Sequence, residues 1–98
     1  MKKTLLKFLI LCTILCQSIL ANTQKVTLQL EWKHQFEFAG FYTAIEKGYY
    51  EDIGIDLEIK EFHDGINISQ DVLNGKSTFG ISSSALILER LNNKPIVL

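Results

Sequence analysis

Trp32, His34, Gln35, Phe36 and Phe38 fall within one short stretch, a concentration of flat and hydrogen-bonding side chains suited to holding a planar solute by stacking. The preceding residues offer Trp32 a second use. Val26, Leu28 and Leu30 alternate with Thr27, Gln29 and Glu31, and Trp32 continues the apolar set into a core. A second candidate is Gly80-Ile81-Ser82-Ser83-Ser84, which joins an expected strand to an expected helix start. Free backbone N–H groups and the helix dipole there favour a carboxylate, sulfonate or phosphate, although capping by one serine explains the same residues. His34 and His63 lack HxH, HExxH or CxxC spacing and read as loop histidines, so neither a metal nor a cofactor is expected. No nucleophile elbow, phosphate loop or dinucleotide fingerprint is present. Glu89 and Arg90 read as a solvated helix face.

The elements that must position these groups follow from periodicity. A first strand is expected over Val26–Trp32. Phe38, Phe41, Tyr42 and Ile45 then put one stripe on a helix that Gly48 ends. Ile55, Leu57 and Ile59 alternate with Asp56, Glu58 and Lys60 as a second strand after the turn at Gly54. Asn67 and Gln70 form a helix-start pair and Asn74-Gly75 a stop, with a third strand over Thr78–Ile81. The serines start a helix to about Leu91, and Pro95 opens a fourth extended segment. This β-α-β-α-β-α-β order predicts an α/β fold, a parallel sheet with helices on both faces. Ligands of such sheets sit beyond the strands' carboxyl ends, which selects Trp32–Gln35, Phe62–Asn67 and Ser82–Ser84.

Residues 1–21 read as a signal peptide: Lys2, Lys3 and Lys7 precede an apolar run from Leu5 to Leu20 that ends at Ala21. The run is near the short limit of about 17–25 residues for a spanning helix and is interrupted by Thr13, Gln17 and Ser18. Cys12 and Cys16 lie inside it, so no disulfide is expected in the exported part, and the neighbouring Leu11 and Leu15 argue against lipidation. Without the three leader lysines, seven basic residues face eleven acidic ones, a net charge of −4 that argues against nucleic acid as a partner. The remaining segment, 22–98, is short for a domain and ends on the apolar Pro95-Ile96-Val97-Leu98, so it is expected to be an incomplete lobe.

Leu30-Glu31-Trp32, Gln35, Phe38-Ala39-Gly40-Phe41-Tyr42-x-Ala44, Glu46-Lys47-Gly48-Tyr49-Tyr50 and Gly54-Ile55-Asp56-Leu57 together resemble the opening of the thiamine-precursor, nitrate, sulfonate and taurine group of periplasmic solute-binding proteins. The best fit is its branch related to fungal thiamine-pyrimidine synthase. Val72-Leu73-x-Gly75-Lys76, Phe79-Gly80-Ile81 and Lys94-Pro95-Ile96-Val97 continue the match. The resemblance implies the start of the first lobe of a two-lobed, type II-like binding-protein fold, truncated here. It also implies a periplasmic receptor that encloses a small-molecule solute and delivers it to ABC permease subunits. Trp32, Gln35, Tyr42, Ser82, Ser83 and Ser84 are then expected around the ligand cleft. A ligand-sensing domain fused to a membrane-anchored kinase or diguanylate cyclase is the alternative. An enzyme is not expected: the fungal synthase carries a lysine just after the third strand and a histidine four residues later, where Ser82 and Leu86 stand here.

Overall fold

The structure is a computed structural model that describes Met1, Thr4, Lys7 and residues 23–98; the expected signal peptide lies almost wholly outside the described residues. Three parallel strands, β1 (Gln24–Gln29), β2 (Ile55–Lys60) and β3 (Phe79–Gly80), form a sheet in the order β2-β1-β3. The sheet is accompanied by α1 (Ala39–Glu46), entered through a 3-10 turn at Phe36–Phe38, then α2 (Ile68–Leu73) and α3 (Ala85–Leu91). Among the described residues no helix is long and apolar enough to cross a membrane.

The alternation in β1 sorts its side chains as expected on one face. Val26, Leu28 and Leu30 are buried; Phe38 of the 3-10 turn and Phe41 and Tyr42 of α1 pack with Leu28 and Leu30, and Leu57, Ile59 and Ile81 complete the core. Ile45, the last member of the helical stripe, runs past the sheet and stays exposed. The opposite face receives α2. Gly80, paired with Gln29 in register, faces Ile68 and Val72 so closely that a Cβ there would collide with the Ile68 side chain. α3 lies across an apolar groove from α2; Glu89 pairs with Lys94 at 3.1 Å and is half-buried rather than part of a solvated face, and Ser69 and Lys94 hold its carboxyl below the ordinary range. The chain thus crosses from β1 to β2 under α1, reverses direction, and returns past β1 to β3 over α2. Right-handed connections require that reversal to move the helix to the other face.

The helices α1, α2 and α3 end alike. After α1, the Gly48 N–H donates to the Ile45 carbonyl (2.9 Å) and the Tyr49 N–H to Ala44 (3.0 Å); after α2, Gly75 and Lys76 repeat the pair on Val72 (3.0 Å) and Asp71 (2.8 Å). This is the Schellman ending, whose left-handed residue is glycine in both cases. After α3 the same two bonds run from Asn93 to Arg90 and from Lys94 to Glu89, with Asn93 taking the positive φ of 63°. At the other end of α2, the Asn67 side chain accepts the Gln70 N–H at 3.0 Å, as the sequence pair indicates.

Three expectations change. β1 ends at Gln29 rather than Trp32, because beyond Leu30, whose N–H still reaches the Lys60 carbonyl at 2.9 Å, the two strands part into loops. β3 is the two-residue centre of the expected Thr78–Ile81 strand, although Thr78 and Ile81 still donate to the Thr27 and Gln29 carbonyls at 3.1 and 2.9 Å. The segment after Pro95 forms no strand. Its Ile96 N–H turns back to the Lys94 carbonyl, and Ile96 is buried beside an apolar groove of about 500 Å³ between α2, β3 and α3.

Candidate functional site

Because the strands are parallel, the segments after β1, β2 and β3 emerge at one edge of the sheet. The β1 loop leads to α1 and the β3 loop to α3, so the connections diverge at the carboxyl ends of neighbouring strands, the position at which open α/β sheets bind ligands.

Trp32 does not extend the core. It stands on the loop after β1, 54% exposed, with its ring stacked on Phe62 at 5.9 Å between centroids and 20° between planes. The stack has a backbone frame: the Phe62 N–H donates to the Trp32 carbonyl at 3.2 Å, and the Lys33 ammonium to the Phe62 carbonyl at 3.0 Å. Glu61 closes the same corner. Its carboxylate accepts the His34 backbone N–H at 2.9 Å and lies 3.8 Å from Lys33. The His34 N–H bond and, secondarily, the Lys33 charge hold the Glu61 carboxyl below its ordinary range. Beneath it, the Gln29 side chain is 3% exposed and donates through Nε2 to the carbonyls of Leu30 (3.2 Å), Lys60 (3.2 Å) and Glu61 (3.1 Å).

Tyr42 joins this cluster through His34, whose Nδ1 hydrogen-bonds the phenol oxygen while the rings meet edge to face at 5.8 Å. Gln35 is exposed and extended, its carbonyl accepting the Phe38 N–H at 3.1 Å to open the 3-10 turn. Phe36, next to it, is 91% exposed. On the β3 loop Ser82, Ser83 and Ser84 are exposed; Ser83 Oγ accepts the Ala85 N–H at 3.3 Å, and Ser84 occupies the helix cap without a side-chain bond. Among the described residues no hydrogen bond or ring contact ties the serines to Trp32, Gln35 or Tyr42. The structure therefore assembles two of the expected residues into one cluster and sets the serines apart on the facing loop. His63 bonds only the Asp64 carbonyl, at 3.2 Å.

Three participants escape a reading of the sequence. Phe62 carries the signal of a strand-end aromatic but no sign of its partner. Glu61 is one carboxylate among many. Gln29 sits at an alternating position that marks solvent-facing residues, and only the covering of both sheet faces makes it interior.

Comparison with known proteins agrees with the resemblance at its broad level. The family model described as NMT1/THI5 like matches residues 35–98, which takes in α1, both later strands and every candidate residue except Trp32. No curated protein and no solved structure matches the chain. With the match covering well over half of the sequence, the chain belongs to the NMT1/THI5-like family.

Proposed function

We propose that this chain is the opening part of an extracytoplasmic solute-binding domain, 22–98 following a cleaved leader, which captures a small planar or anionic solute for ABC-type uptake. The observation that carries the reading is the exposed Trp32–Phe62 stack at the carboxyl edge of a parallel sheet. A large aromatic face left open to water at that edge is costly for a monomer and useful to a ligand. Family membership supports the class, since proteins of this kind act outside the cytoplasm as solute receptors. Within that reading Trp32 supplies the platform, Tyr42 and His34 a polar side, Gln35 an adaptable amide, and Ser82–Ser84 hydroxyls for the polar end of the solute. The protein binds rather than transforms its ligand, and its partners are permease subunits.

Calorimetric titration with aminopyrimidines, sulfonates and short carboxylates tests the proposal. Trp32→Ala is expected to weaken the best ligand by about 1–3 kcal/mol, taking base-on-aromatic stacking as the analogue. Its melting temperature should move little, because the ring is exposed. Unchanged affinity in a well-folded Trp32→Ala protein would remove Trp32 from the site.

A further inference from the structure

β1 and β2 are held together along six paired residues, yet the rings that face solvent lie on the loops beyond the last pair, Gln29 with Lys60. Something must fix the angle at which those loops leave the sheet. Backbone pairing cannot do so alone, since the strands have begun to part. The Gln29 side chain sits at this fork. Nearly full burial obliges its amide to find partners within the protein. It finds three carbonyls, one on its own strand's exit and two on the exit of β2. An amide has two N–H donors, so the three contacts share them, and the group is committed to the fork.

The consequence reaches the aromatic pair through short covalent paths. Holding the Glu61 carbonyl orients the peptide between the Glu61 carboxylate, which grips the His34 N–H, and Phe62, whose N–H grips Trp32. We propose that Gln29 is a positioning residue: its buried amide sets the exit of the β1 and β2 loops and so holds the Trp32 and Phe62 rings as a pre-formed ligand platform. The role rests on the solute-binding reading for its purpose, but the clamp is measurable without any ligand.

Trp32 is the only tryptophan in the chain, so its fluorescence reports the platform directly. In the full chain, Gln29→Met keeps the length of the side chain and removes its donors. Acrylamide quenching of Trp32 should rise at least twofold in a protein that retains its far-ultraviolet circular dichroism, and affinity for 4-aminopyrimidine, used as a planar probe, should fall about tenfold. Thr27→Val is the control. Thr27 lies on the same face of the same strand and bonds Thr78, away from the fork; its loss should lower the melting temperature and leave Trp32 quenching unchanged, which a general loosening of the sheet would not. Equal quenching in wild type and folded Gln29→Met overturns the proposal. Should Gln29→Met fail to fold, proton exchange of the Gln29 side-chain amide in the wild-type protein decides instead: slow exchange supports the clamp, and exchange at the rate of a free amide overturns it. Failure of wild-type protein to bind any solute in the earlier titration would sink the functional reading, whereas the clamp stands or falls on quenching and exchange.

Discussion

The two sides of β1 are built differently. Toward β2, six registered pairs lead into a corner tied by Gln29, Lys33, His34, Glu61 and the Phe62 N–H. Toward β3, the pairing is two residues long, and the main added fixture is the Thr27–Thr78 clasp, in which the Thr78 N–H reaches Thr27 Oγ1 at 2.8 Å and the Thr27 N–H reaches Thr78 Oγ1 at 3.1 Å. Phe79, Ile87, Leu88 and Leu91 remain exposed on that side. The ordered half of the candidate site follows the long pairing and the loosely held serine loop follows the short one. Side-chain ties beyond a strand end are therefore richer here where the ladder beneath is longer.

The largest expected effect probes the strong side. Leu30 is fully buried beside Phe38, and Leu30→Ala should cost about 2–5 kcal/mol in denaturant unfolding. Leu88→Ala, on the open side, should stay within about 0.5 kcal/mol of the parent, as exposed substitutions do. Similar losses from the two would erase the contrast. Next comes Gly80→Ala, which forces a methyl against Ile68 and should destabilise by about 1–3 kcal/mol through overpacking; a neutral result would show that α2 stands farther from β3 than described.

Acid sharpens the comparison at the corner. The Glu61 carboxyl is held low mainly by the His34 N–H and then by Lys33, so the bond it makes is present at neutral pH. A depressed carboxylate lends its stabilisation above its unfolded value, about 4.3, and loses it as pH falls through the lower folded value. The His34 amide resonance should therefore shift below pH 4.3 in the wild type and not in Glu61→Gln; a shared shift would assign the change elsewhere. The smallest effect lies at the end of α3. Asn93→Gly removes the side-chain strain of a positive φ and should raise stability by about 0.5 kcal/mol in a chemical melt, whereas Gly75→Asn at the matching position of α2 should lower it.

Much of this frame was legible in the chain because its signals are local. Asn67 announces the start of α2, Gly48 and Gly75 announce stops, and Ile55, Leu57 and Ile59 mark β2 to the residue. Boundaries set by tertiary contact were not legible. The alternation through Trp32 continues the strand pattern, but strand character requires a partner, and β2 turns away after Lys60. Pro95–Leu98 has the composition of a strand, yet composition supplies no neighbour to pair with. At the candidate site, the residue types at 32, 35, 42 and 82–84 single out loops and a helix start at the carboxyl ends of the strands. The ring opposite Trp32 and the amide below it come from 30 and 3 residues away in sequence and on different faces, which no spacing rule encodes.

Among the described strands the central one precedes both of its partners in sequence, and this order shapes how the sheet must assemble. β1 cannot pair until β2 is made, with partners 31 residues apart at the Gln29–Lys60 contact, whereas the Thr27–Thr78 clasp spans 51. The extra loop-closure entropy of the longer span is only about 0.4 kcal/mol. Distance along the chain therefore does little to delay β3; the shortage of bonds at its edge does more. The six-pair β1–β2 ladder is therefore the expected nucleus, and the two-pair β1–β3 ladder is expected to form after it.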